Sequence, residues 1–217
     1  MLRIKSFTFN PFQENTYVIS DQEGHAAIID PGNYEDAENQ QILGYIRENN
    51  LKPELLLNTH CHIDHVLGND FIKRTFSIPL LIHDQEIPVL NSVKAYAPNY
   101  GFANYSHTDP DGYLSEGKSI EIGNEHLEVL FVPGHAPGHV VFYHPESQQC
   151  IAGDTLFRES IGRTDLPGGD HDLLLEKIKS VLFKLPDQTV IHSGHGPSTT
   201  IAHEKAYNPF VGKNSRF

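Results

Sequence analysis

Cysteine is scarce in this sequence: its 217 residues contain only Cys61 and Cys150. Two thiols cannot build the disulfide framework that holds a small secreted domain together, and nothing forbids both from being free, so a reducing compartment fits. Long apolar runs are also lacking, and no stretch approaches the roughly 20 residues that a membrane-crossing helix needs. The opening segment MLRIKSFTFNPFQENTYVIS has no apolar run followed by a small-residue cleavage site, so the expected location is the cytoplasm. Positive charge is in deficit, with 16 Lys and Arg against 28 Asp and Glu and a net charge of −12. Because the acidic residues are spread along the chain and no long basic stripe interrupts them, neither nucleic acid nor an anionic membrane is an expected partner. There is no internal repeat and no low-complexity tract. What is left, 38% hydrophobic and 20% charged residues, is the composition of an ordinary globular chain, and its length predicts one domain over 1–217.

Short apolar runs at 2–9, 16–19 and 26–29, separated by Asn10-Pro11 and by 21–24, predict an antiparallel meander. Ala37, Ile42, Tyr45 and Ile46 recur at near-helical spacing within 34–49, and Leu51-Lys52-Pro53 ends that helix before the buried run Leu55-Leu56-Leu57. Helix is expected again over 64–76 with Val66, Leu67, Phe71 and Ile72 inward, then a strand at 79–82. Beyond Tyr113 the pattern predicts strands at 119–122, 126–132, 139–143 and 149–152, a helix at 171–183, a strand at 189–191 and a last helix near 199–207. Two sheets flanked by helices would result. Between Pro88 and Tyr113 no period fits, and Tyr96, Tyr100, Phe102 and Tyr105 fall at irregular spacing. That segment is expected to be an irregular connection bordering the active site.

Histidine is what the chain has in excess, fourteen residues in all. Three of them, with one Asp, crowd into Asn58-Thr59-His60-Cys61-His62-Ile63-Asp64-His65, directly after a buried strand and before a helix. Clustered imidazoles and a carboxylate at a strand end repel or stay poorly solvated unless a cation neutralises them. Later, His135 sits in Pro133-Gly134-His135-Ala136-Pro137-Gly138-His139, Asp154 in Ala152-Gly153-Asp154-Thr155, and His195 in Ser193-Gly194-His195-Gly196, each after an apolar run. Loops at the same ends of several strands converge, so these residues can meet the first cluster, although each alone is weak evidence. His139 either borders the site or serves packing and hydrogen bonding. The remaining histidines read as surface or structural positions.

The H-x-H-x-D-H run at 60–65, followed by His135, Asp154 and the Gly-His-Gly around His195, resembles the ordered signature of the metallo-β-lactamase superfamily and covers nearly the whole chain. The resemblance implies an α/β fold, a four-layer αββα sandwich, and two divalent metal ions, zinc foremost with iron or manganese as alternatives. It places His60, His62 and His135 on one ion, Asp64, His65 and His195 on the second, and Asp154 between them. Two ions about 3.5–4 Å apart can share a water, lower its pKa and polarise a substrate oxygen. Asp64 and Asp154 are then catalytic through the metal-bound hydroxide they help to hold, and no Ser or Cys nucleophile is needed. Cys61 falls where the resemblance has a non-ligand, and Asp30 in Ile28-Ile29-Asp30-Pro31-Gly32 where it has an Asp that orients ligating imidazoles.

Within the superfamily, Gly153-Asp154-Thr155-Leu156-Phe157, Gly162-Arg163-Thr164-Asp165, Gly194-His195-Gly196-Pro197 and Asn208-Pro209-Phe210 resemble the short bacterial relatives of glyoxalase II, hydroxyacylglutathione hydrolase. This implies hydrolysis of a small-molecule thioester such as S-lactoylglutathione. The longer members carry a C-terminal helical region that this sequence, stopping at Phe217, lacks. Arg163 and Asp165 stand where those members use Lys and Tyr for glutathione, so Arg163 becomes the candidate substrate-binding cation, its planar fork suited to a carboxylate. A salt bridge to a nearby Asp is the other reading of Arg163. Three further functions stay open: a persulfide dioxygenase with one iron on two His and one Asp, a lactone or phosphoester hydrolase with the same metals, and a metal-binding module without turnover.

Overall fold

The computed structural model describes residues 2–215. They form two compact units, 2–114 with 121–126 and 115–120 with 127–215.

The first unit is built on a six-stranded sheet in which spatial order follows chain order: β1 (Arg3–Phe9), β2 (Glu14–Ser20), β3 (His25–Ile29), β4 (Lys52–Leu57), β5 (Leu80–His83) and β6 (Gly112–Leu114). The tight connections after β1 and β2 allow only antiparallel pairing, whereas the long crossovers after β3 make the remaining pairs parallel. Helix α1 (Asp36–Glu48) fills the first crossover and starts with a Glu35–Glu38 capping box. The helix expected over 64–76 is broken into α2 (Ile63–Val66) and α3 (Asn69–Phe76). The break is at Gly68, whose amide donates to the Pro31 carbonyl at 2.7 Å and where a Cβ would lie 2.2 Å from Asn33 Oδ1.

A further correction concerns 88–113. The segment is not irregular throughout, because α4 (Ile87–Tyr96) and a 3-10 turn at Ala97–Tyr100 occupy its first part. Pro88 stands in the first turn, where its missing N–H costs nothing. Leu90, Val93 and Ala97 are buried at three- and four-residue spacing, a period hidden in the sequence by the exposed Asn91, Ser92 and Lys94 around them. The aromatics beyond α4 pack on the body: the Phe102 ring meets Tyr34 edge-on at 5.0 Å, and Tyr34 Oη accepts from the Asn104 amide. Ile28, Ile42, Leu56, Ile72, Leu80 and Leu90 are the centre of this unit's core.

The second set of strands comprises β7 (Ser119–Ile122), β8 (Glu125–Phe131), β9 (Val140–His144), β10 (Gln149–Gly153), a small hairpin of β11 (Leu156–Phe157) and β12 (Ser160–Ile161), then β13 (Val190–Ser193) and β14 (Thr199–Thr200). Its main sheet runs β14-β13-β10-β9-β8-β7. Helix α5 (His171–Ser180), capped by Asp170, lies in the crossover that makes β10 and β13 parallel, and α6 (Ile201–Tyr207) follows β14. Val141, Leu174, Ile178, Leu182 and Ile191 form the core. The fold is thus mixed α/β with two sheets flanked by helices. Both cysteines are buried free thiols, and burial pushes each thiol pKa well up. Among the described residues no helix is long and apolar enough to cross a membrane.

His192 on β13 donates from Nε2 to Gln149 Oε1 at 2.6 Å, and burial holds its pKa down to about 4. A lowered pKa in the fold means that the unfolded chain takes up the proton first. The stability tied to neutral His192 is therefore complete above about pH 6.5 and is lost as pH falls towards 4. Urea unfolding followed between pH 7 and pH 4 should show wild type losing on the order of 2 kcal/mol more than His192→Gln. Parallel pH profiles for the two proteins would mean that His192 titrates normally in the fold.

Candidate metal centre

In the first unit the chain leaves β4 at Leu57 and turns through Asn58 and Thr59 into the histidine run. Asp30, one residue past β3 at φ 50°, is the pivot of this turn. Its Oδ1 accepts from the Thr59 amide at 2.7 Å, and its Oδ2 accepts from Thr59 Oγ1 at 2.6 Å and from His65 Nδ1 at 3.2 Å. With the Thr59 hydroxyl proton committed to Asp30, Thr59 Oγ1 is left to accept from His60 Nδ1 at 3.0 Å. Both imidazoles are therefore protonated on Nδ1 and carry their lone pair on Nε2, the state a metal ligand requires. The His60 ring centroid lies 4.9 Å from that of His62 and 4.2 Å from that of His65, and His65 Nε2 is 3.7 Å from Asp64 Oδ2. His60 and His65 are fully buried.

Several residues that support this loop escaped sequence reasoning. Glu14, fully buried on β2, receives a hydrogen bond from Thr16 Oγ1 at 2.9 Å and brings its other oxygen to 3.9 Å from His65 Nδ1; burial pushes its carboxyl well above the usual range. Glu86, also fully buried, accepts the Cys61 amide at 2.8 Å, between two histidines of the run. Asn10 Nδ2 donates to the carbonyls of Gly32 at 3.0 Å and Asp64 at 3.1 Å, and Asn58 Nδ2 donates to that of His65 at 2.9 Å. Nothing in the sequence marks Glu14, Glu86 or Asn10, which look like surface polar residues until the fold buries or bonds them. Tyr96 at the end of α4 is raised to about 12, by burial first and then by the Asp64 charge.

In the second unit His135 occupies the turn between β8 and β9 and gives its Nδ1 proton to the Arg163 carbonyl at 2.7 Å, so its lone pair too sits on Nε2. Asp154 follows β10. Its Oδ2 lies 3.6 Å from His135 Nε2 and 3.5 Å from His195 Nε2. Two ligand atoms held 2.0–2.1 Å from a tetrahedral ion stand about 3.3 Å apart, so these separations, like that of His65 and Asp64, suit shared coordination better than hydrogen bonding. The donor set of neutral imidazoles and carboxylates fits zinc, iron or manganese.

Gly162 closes this part of the site. A Cβ there would lie 1.9 Å from the Asp154 carbonyl oxygen and 3.0 Å from His135 Nδ1. Gly162→Ala must therefore displace the Asp154 backbone, and a shift near 1 Å at such a site costs about 100-fold in rate. Steady-state kinetics alongside metal content checks this, and a variant with wild-type kcat would show that the loop yields elsewhere. The Arg163 side chain is bidentate to Asp165, at 2.7 Å through both Nε and Nη2, and holds that carboxyl down to about 2. The salt-bridge reading of Arg163 is thus realised, and its backbone carbonyl has a use that the sequence did not disclose. His60, His62, Asp64 and His65 with Asp30 lie in the first unit, and His135, Asp154 and His195 in the second.

A family model described as the metallo-beta-lactamase superfamily matches residues 9–195. The hydroxyacylglutathione hydrolase GloC of Haemophilus influenzae is 36% identical over 216 residues, covering 99% of this chain and 100% of that protein. Among solved structures, BLEG-1 B3 metallo-beta-lactamase matches with a TM-score of 0.87 at 38% identity, covering 96% of this chain and 99% of its own. TTHA1623 in a di-iron-bound form matches with a TM-score of 0.85 at 37% identity, covering 95% and 99%.

Proposed function

Since this chain belongs to the metallo-β-lactamase superfamily, a superfamily of metallo-hydrolases, we propose that it hydrolyses a small-molecule thioester of the S-lactoylglutathione kind in the cytoplasm. The observation that carries the proposal is the hydrogen bonding of the histidine Nδ1 atoms. His60, His65 and His135 each commit Nδ1–H to an oxygen acceptor, which turns three Nε2 lone pairs into ligand atoms. Histidines placed only for packing have no need of a common tautomer. In this reading His60, His62 and His135 hold one divalent ion, Asp64, His65 and His195 hold a second, and Asp154 serves both. Zinc is the first candidate, and the di-iron form of TTHA1623 supports iron as the alternative.

Two such ions supply a Lewis acid for the thioester carbonyl and make water acidic enough to react near neutral pH. The chain's own residues do the rest. Asp30 holds His65 directly and His60 through Thr59, raising the basicity of both rings and fixing their direction. The Arg163 carbonyl does the same for His135. Water cleaves the C–S bond: its oxygen joins the acyl carbon, one of its protons goes to the sulfur to give the thiol, and the other is released to solvent as the acid ionises to carboxylate. The full-length match to GloC supports a hydroxyacyl thioester.

Metal content per chain, hydrolysis of S-lactoylglutathione, hydrolysis of nitrocefin and oxygen uptake with glutathione persulfide together test the proposal. About two ions with thioester cleavage is the expected result. Faster nitrocefin hydrolysis would move the substrate to β-lactams, which the likeness to BLEG-1 favours as second reading. One iron with oxygen uptake would make the protein a dioxygenase. Arg163→Ala is expected to raise KM for the thioester with little change in kcat or melting temperature. An unchanged KM would remove the Arg163 guanidinium from the substrate site.

A further inference from the structure

Asp154 leaves β10 where the sheet ladder fails. Gly153 stands at φ 48°, and the register of β10 against β13 shifts between Ile151 and Gly153. The Asp154 amide therefore needs an acceptor other than a neighbouring strand. It donates to Nε2 of His139, a fully buried side chain, at 3.1 Å. As acceptor on Nε2, the imidazole carries its proton on Nδ1, the reverse of a use in which Nε2 donates.

The backbone of His139 also closes the turn that presents His135. The Val132 amide donates to the His139 carbonyl at 2.9 Å, and the His139 amide donates to the Ala136 carbonyl at 3.4 Å. The His135 and His139 rings stand 5.9 Å apart at 74°. One residue thus braces both neighbouring parts of the second unit's site, the His135 turn by its main chain and Asp154 by its side chain.

We propose that His139 is a positioning residue that sets the Asp154 carboxylate between His135 and His195 by accepting the Asp154 amide on Nε2. This rests on the reading of Asp154 as a metal ligand. The choice of histidine follows from reach and polarity: the acceptor must cross from the start of β9 to the end of β10 in a buried position, where an unpaired N–H is costly.

His139→Gln and His139→Asn test it as a pair. The Gln amide oxygen reaches the position of Nε2, the Asn oxygen only that of Nδ1, and both remain polar. Zinc affinity measured by chelator competition should stay within about 3-fold of wild type for Gln and fall about 10- to 100-fold for Asn, as for the loss of other groups that hold a ligand in place. The kcat for the thioester should fall in parallel for Asn while KM holds, and the metal-free Asn protein should still fold, melting somewhat below the Gln protein because the buried Asp154 amide has lost its acceptor. Equal zinc affinity in the two variants, whether unchanged or reduced, would overturn the proposal, as would an Asn variant that does not fold. An Asp154→Ala protein binding zinc like wild type would instead remove the ligand assignment beneath it.

Discussion

Asp154→Ala is expected to purify folded, to hold well under two metal ions per chain and to lose turnover by on the order of 1,000-fold or more. The core does not depend on this side chain. The hydrogen bond that its backbone N–H donates to His139 survives the substitution, and its carboxylate points to His135 and His195 rather than into an apolar cluster. What disappears is a carboxylate standing between the His135 and His195 imidazoles, and with it the charge that the proposed pair of dications would share. Asp154→Asn should fall between wild type and Ala, since it retains one oxygen but no charge. Metal analysis, kinetics and a thermal melt on the same samples decide the matter. Full metal occupancy with full activity in the Ala protein would end the assignment of Asp154 as the shared ligand.

Asp30→Ala is expected to be damaging for a different reason. Four donors, the Thr59 amide, the Thr59 hydroxyl, His65 Nδ1 and Asn58 Nδ2, converge on this buried carboxylate, and removal leaves all four inside without it. Stripping one partner from a buried charged network costs about 3–5 kcal/mol, a large share of the 5–15 kcal/mol that holds a typical domain folded. Position 30 adds a further penalty, because its φ of 50° suits Asp and Asn better than Ala. Asp30→Asn separates stability from metal binding. Asn keeps one acceptor oxygen and tolerates the left-handed backbone, but its NH2 group turned towards His65 favours the tautomer that occupies Nε2 with a proton. Urea unfolding should show a clearly smaller loss for Asn than for Ala, while zinc affinity falls about 10- to 100-fold in both. An Ala protein as stable as wild type would show that Asp30 is not the pivot of the loop.

The parts of the molecule legible in the sequence are those whose cause is local. The meander of the first three strands follows from short apolar runs and tight turns, and α1 and α5 from their spacing of apolar residues and their polar starts. The run from His60 to His65 announced itself because four potential ligands within six residues are hard to explain by packing. In the sequence Leu67-Gly68 continues a helical pattern, since one glycine is compatible with a helix; only Asn33, close against Gly68, makes it a break. The start of α4 was concealed by Pro, Asn and Ser on its exposed side, and its buried face is recognisable only against the core it meets.

The sequence by itself determined the succession of most elements and the crowded run from His60 to His65, because these depend on periodicity and on residue types that attract metal; the α/β class and the full set of candidate ligands followed from the resemblance to the superfamily. Only the tertiary structure decided which nitrogen of His60, His65 and His135 meets an oxygen acceptor, that Glu14 and Glu86 are buried beside the loop, that Arg163 turns its fork to Asp165, and that His139 accepts the Asp154 amide. The physical reason is separation along the chain. Asp30 lies 35 residues from His65, Glu86 lies 25 from Cys61, and His139 lies 15 from Asp154. A hydrogen bond has no signature in sequence until folding brings its donor and acceptor within 3 Å or so of each other.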